Sequence, residues 1–161
     1  MAVQEIIELG NSFLGELCTP VAEPTAASVS ALVSDLKDTL RSFSEEHGFG
    51  RGIAAPQIGA LTRVIYINMK PDGFEGVLMN SEMTDVRVDY LDESGIRRAL
   101  EATGELSSLL QHEIDHLNGV LAIEKAVSSR AYMSRGEWER QGRPFYEDRR
   151  WDRPRCRAPG R

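Results

Sequence analysis

Apolar positions recur at helical spacing in two stretches of the chain and at strand spacing in several others. Between residues 26 and 46, Val29, Leu32, Val33, Leu36, Leu40 and Phe43 follow i, i+3, i+4, i+7 spacing, with Asp35, Lys37, Asp38 and Arg41 mostly on the other side. That pattern predicts an amphipathic helix with one face on a core. Leu106, Leu109, Leu110, Ile114 and Leu117 make a second stripe, which predicts a helix over 105–118 with Gly119 as its capping glycine. Residues 63–68 are β-branched and aromatic at their centre and read as a strand. Residues 86–91 alternate apolar and polar. The turn at 92–95 returns the chain as a hairpin partner over 96–102. Shorter strands are expected at 76–80 and 120–123, and one from Ile6, Ile7 and Leu9, while Pro20 and Pro24 keep the entry segment extended.

Length and composition narrow the class. A chain of 161 residues predicts a single domain, with 27% charged and 41% hydrophobic residues as in ordinary globular proteins. The domain is expected over residues 1–130. A tail over 131–161 follows, weakly helical to about 141 and then disordered. Cys18 and Cys156 are too few and too far apart for a disulfide framework. No secretory pattern opens the chain and no apolar run has spanning length, so the cytoplasm is the expected location, with no membrane and no DNA partner. The net charge of -6 is uneven: residues 135–161 carry nine Arg and five acids, for +4, leaving -10 on the body. A basic tail of this kind reads first as a solvated segment, with ribosomal RNA as the contact it could make.

Two stretches carry chemistry. Three glycines fall within residues 48–52, followed by a run of small and apolar residues interrupted by Gln57. A backbone of this kind turns sharply or lies close to something else. The ending G-K-[ST] and a preceding strand are both missing, so it is not a phosphate loop. Composition alone leaves it an ordinary tight turn or the wall of a site. The second stretch is His112-Glu113-Ile114-Asp115-His116, an H-E-x-x-H array holding two of the three histidines. On a helix, residues four apart lie on one face, so two imidazoles can grip one divalent metal and the glutamate can act as general base. The array alone does not name a reaction. The metzincin pattern requires a third histidine where this chain has Ala122, and a zincin-like protease would need a distal carboxylate such as Glu124 or Glu137 to converge on the metal.

Taken together, Gly50-Arg51-Gly52-Ile53-Ala54-Ala55-Pro56-Gln57 and Gln111-His112-Glu113-Ile114-Asp115-His116-Leu117-Asn118-Gly119 resemble the paired motifs of the peptide deformylase family. The resemblance covers roughly residues 3–125. It implies an α+β fold, with antiparallel β-sheets around a central metal-binding helix. It also implies hydrolysis of the N-formyl group from the starting methionine of nascent polypeptides. By position, it implies that His112 and His116 hold the metal, commonly Fe(II) in the family, with Zn or Ni also used. Glu113 would move the proton, Gln57 would stabilise the oxyanion, and Gly52 with Ile53 would meet the substrate.

The chain departs from the family between the two motifs. The family takes a third metal ligand from a cysteine there, and no cysteine occurs between Cys18 and Cys156. The join, near Thr84-Asp85, is expected to lack roughly 25–35 residues. A tight site normally has three protein ligands and an open position. Two functions are therefore carried forward: a deformylase-type hydrolase, and a relative that keeps the scaffold to bind peptides or a partner. The nearest carboxylates to the join are Glu82 and Asp85.

Overall fold

The computed structural model describes residues 2–71, 73–84 and 87–125. Residues Met1–Glu124 form one compact unit. The expected domain end at 130, the weak helix over 128–141 and the basic tail lie outside the described residues.

Helix α1 spans Ala27–His47, as its apolar stripe predicts. Val33, Leu36 and Leu40 are buried along that stripe, and Thr39 is buried with them, its Oγ1 accepting from the Gln4 amide at 2.9 Å. Gly48 ends the helix in the left-handed region at φ 73°, where its amide donates to the Ser44 carbonyl. Five strands follow: β1 Gly52–Ala54, β2 Val64–Asn68, β3 Glu75–Thr84, β4 Arg87–Leu91 and β5 Arg97–Glu101. They pair antiparallel in simple chain order, β1-β2-β3-β4-β5. Helix α2, Gly104–Leu117, closes the site-bearing part of the chain.

The sheet is sandwiched where β1 to β3 run. Val64 and Tyr66 face the α1 side with Ile53, Val77 and Met79, and they pack on Val33, Leu36 and Leu40. Ile65 and Ile67 face the other way and pack with Leu78 and Val88 on Leu110, Ile114 and Leu117 of α2. Because β2 is covered on both faces, its run is apolar throughout rather than alternating. At about 25 cal/mol per Å² of apolar surface, each fully buried Leu or Ile contributes about 1.5–3 kcal/mol.

β3 carries a bulge. Met79 pairs with Leu91 and Glu82 with Asp89, so Asn80 and Ser81 stand opposite Tyr90 alone. Asn80 takes a left-handed φ of 53°. Its Oδ1 accepts from the Val21 amide at 2.7 Å and its Nδ2 donates to the Val21 carbonyl at 2.9 Å, so the side chain pairs with the entry segment as a strand would. Past the bulge, β3 and β4 pair down to Thr84 and Arg87, across residues 85–86. β3 and β4 thus pair directly with each other on either side of the expected join.

Three expectations differ from the structure. Ile6, Ile7 and Leu9 form no strand; the Ile7 amide donates instead to the Gln57 carbonyl at 2.8 Å, a bond made to a turn rather than to a neighbouring strand. Residues 120–123 are not a strand: Ala122–Lys125 is a 3-10 turn that follows Gly119, whose left-handed φ of 68° turns the chain out of α2. β3 runs four residues past Asn80, because asparagine in the left-handed region makes a bulge where periodicity reads an end.

Candidate metal centre

α2 brings the histidines together. Nε2 of His112 and Nε2 of His116 lie 3.2 Å apart, with ring centroids 4.6 Å apart and planes at 80°. A tetrahedral metal about 2.1 Å from each nitrogen needs the two about 3.4 Å apart, so the pair fits two positions of one divalent ion. The chemistry of the described donor set stops at two. Among the described residues, no group of three or more His, Cys, Asp or Glu side chains converges.

Both flanking groups are buried. Burial alone pushes the Glu113 carboxyl up to about 8, and its Oε2 is buried without a hydrogen-bond partner. A group poised near neutral pH can both take and give a proton. His116 is pushed down to about 4, by burial first and by the neighbouring His112 second, with Asp115 opposing. It is therefore a neutral donor at pH 7, as a metal ligand must be. Its Nδ1 is buried without a hydrogen-bond partner.

The glycine-rich loop reaches this helix. β1 packs against α2, and so does the 3-10 turn Ala55–Ile58 that follows it. A Cβ on Gly52 would stand 2.6 Å from Glu113 Oε1 and 3.0 Å from Ile67 Cδ1. Gly52 is therefore the residue that admits the Glu113 carboxylate beside the strand. Gln57 sits in the turn, where its Oε1 accepts from the Ala54 amide at 2.7 Å. With that oxygen engaged, the amide nitrogen is the end left to serve a ligand. The Ile53 side chain is in the core on the α1 side, 1% exposed, so only its main chain could meet a substrate.

Other candidate donors fall elsewhere. Cys18 is buried among Ile65, Ile114 and Leu117, and burial raises its thiol. Its amide donates to the Leu117 carbonyl at 3.0 Å, so it belongs to the packing of α2 rather than to the histidine pair. Glu82 is exposed on β3, while Asp85 and Cys156 lie outside the described residues. Arg63, which the periodicity marks only as the start of a strand, lies just before β2. Its guanidinium meets α2 and β3 across 54 and 18 residues of chain, a relation that local pattern does not carry.

The model of the family described as polypeptide deformylase matches residues 3–86 and 83–131. The chain belongs to the polypeptide deformylase family. The two matched segments meet at 83–86, where β3 passes into β4. Peptide deformylase 2 of Clostridium perfringens is 33% identical over 153 residues, covering 78% of this chain and 94% of that one. Since 78% of 161 residues is about 126, about 27 of those 153 aligned positions have no counterpart here. A peptide deformylase of Desulfitobacterium hafniense is likewise 33% identical, over 150 residues, 78% of this chain and 96% of that one. Among solved structures, the peptide deformylase of Legionella pneumophila superposes with a TM-score of 0.73 at 24% identity, over 92% of this chain and 99% of that one, a likeness of fold. That of Ehrlichia chaffeensis in complex with actinonin gives 0.71 at 25% identity, over 81% and 92%. The deformylase α+β fold expected from the motifs is the one observed. The family consists of metal-dependent hydrolases. No helix among the described residues is long and apolar enough to cross a membrane.

Proposed function

We propose that this chain is a deformylase-type metallohydrolase of the cytoplasm that removes the formyl group from the N-terminal formyl-methionine of nascent polypeptides. The observation that carries the reading is the convergence of the His112 and His116 Nε2 atoms beside a buried Glu113 whose carboxylate is seated against Gly52. His112 and His116 would hold a divalent ion, Fe(II) by family habit or Zn or Ni, and the ion supplies Lewis-acid polarisation of the formyl group. Glu113, with its carboxyl held near neutral pH, takes a proton from the attacking water and returns it to the leaving amine. The Gln57 amide nitrogen donates to the oxyanion as it forms. β1 is an edge strand, so the main chain of Gly52 and Ile53 offers an extended peptide a row of hydrogen-bonding groups.

One observation favours a second reading. Only two metal donors converge among the described residues, and a scaffold that binds formyl-methionyl or other peptides without turnover needs no third. Metal content and hydrolysis of a formyl-methionyl peptide separate the two. Turnover by the metal-loaded protein that Glu113→Gln abolishes supports the hydrolase. Peptide binding without turnover, at full metal occupancy, supports the scaffold.

A further inference from the structure

The last turn of α2 is held from outside the helix. Arg63 Nη1 donates to Asn118 Oδ1 at 2.8 Å and, at 3.4 Å, to the Leu117 carbonyl. Arg63 Nη2 donates to the Ser81 carbonyl at 2.9 Å, within the β3 bulge. The same residue is fixed by its own main chain. Its amide donates to Thr19 and its carbonyl accepts from Asn80, at 2.9 and 3.0 Å. A single planar fork thus spans β3 and the end of α2 from a rigid base. A cation is also well placed there, because the carbonyls at a helix C-terminus carry partial negative charge. The anchored carbonyl belongs to Leu117, the residue after His116.

We propose that Arg63 is a positioning residue for the histidine pair: it locks the final turn of α2 to the β3 bulge and so keeps His116 opposite His112. The carbonyls of the last turn are met by the amides of residues 118–120 and, at Leu117, by Cys18 and Arg63. With no helix beyond it, a terminal turn of this kind frays unless groups outside the helix also hold it. His116 lies in that turn and His112 one turn earlier. A frayed last turn swings one imidazole away and leaves a metal with one donor. The Cys18 amide also meets the Leu117 carbonyl, and Arg63 adds a tie from that end of the helix to the bulge in β3.

This inference rests on the histidine pair being a metal site, and the experiment separates the two. Wild type, Arg63→Lys, Arg63→Ala and the surface control Arg41→Ala are titrated with Co(II), followed by visible absorption. Amide hydrogen exchange is measured on the metal-free forms. Partners that orient metal ligands typically change affinity by about 10–100-fold when removed. Arg63→Ala is expected to weaken Co(II) binding at least about tenfold and to speed exchange at Asn118 and Gly119 by about as much, with β2 amides unchanged. Arg63→Lys, which keeps the charge but loses the fork, is expected to fall between, and Arg41→Ala to match wild type. Arg63→Ala that binds Co(II) as wild type does, or exchange that quickens equally in β2 and α2, overturns the proposal. A wild type that takes up no Co(II) overturns the metal reading, and this inference with it.

Discussion

Gly52 and Glu113 occupy the same small space: a Cβ on Gly52 would lie 2.6 Å from Glu113 Oε1, closer than non-bonded atoms come. The strand and the helix approach one another at that point because one of them has no side chain. Gly52→Ala must therefore push either the carboxylate or Ile67, whose Cδ1 stands 3.0 Å from the same position. A loss of about 1–3 kcal/mol in stability is expected, as for other overpacked sites. Any formyl-peptide hydrolysis should fall more steeply than stability does. Urea unfolding and turnover measured on one preparation check this. Gly52→Ala with wild-type values of both would remove Gly52 from the site.

Glu113 and His116 set the pH dependence of the metal-free protein. Glu113 stays protonated in the folded state up to about 8, whereas an unfolded glutamate ionises above about 4.5. Between those values the folded state binds the extra proton, so stability falls as pH rises. His116 works in the opposite sense. It is neutral in the folded state down to about 4 and charged in the unfolded chain below about 6.5, so stability falls as pH drops through that window. The two slopes offset each other from about 4.5 to 6.5, and Glu113 acts alone above. A decline of about 2 kcal/mol between pH 6.5 and 8 is expected, at about 1.4 kcal/mol per pKa unit. Glu113→Gln should flatten it. Urea midpoints at half-unit pH steps would show a persisting decline in that variant if another group were responsible.

The metal itself should bind weakly. With two imidazole donors, affinity is expected to be micromolar or weaker, against the far tighter binding of complete sites. His112→Ala and His116→Ala should each abolish it. Cys18→Ser, Cys156→Ser and Glu82→Ala should leave it unchanged, although Cys18→Ser places a hydroxyl in the core and should lower stability by about 1–3 kcal/mol. Tight stoichiometric metal that one of these three removes would identify a replacement ligand.

Asn80 is a structural counterpart to the site. Its left-handed backbone and its two bonds to Val21 hold the bulge on which Ser81 meets Arg63. Asn80→Ala is expected to cost about 2–3 kcal/mol, from lost hydrogen bonds and a conformation alanine resists. Asn80→Gly relieves the second cost and should be milder by about 1 kcal/mol. Equal losses in the two variants would mean that the backbone conformation carries no strain.

Much of the site was readable in the chain because its parts are local. The spacing of His112 and His116 on a leucine-striped segment places both rings on one face of a helix, whatever else the chain does. The strands over 64–68, 87–91 and 97–101 follow from composition and alternation in the same way. The entry segment and residues 120–123 read as strands because they are apolar, yet Ile6, Ile7 and Val120 are only half-buried and Leu9 and Ile123 are exposed. Apolar character alone shows neither that a residue is buried nor that its backbone pairs.

The sequence by itself determined the two helices, the strands over 64–68, 87–91 and 97–101, and the histidine pair, since each depends on residues within a few positions of one another. Tertiary structure decided the rest. It seated Glu113 against Gly52, across 61 residues, and so buried the carboxyl and raised it towards neutrality. It paired β3 with β4 on either side of the join, and it carried the Arg63 fork to the end of α2. Those relations arise when distant surfaces are pressed together and water is excluded between them, and no local spacing encodes which surfaces will meet.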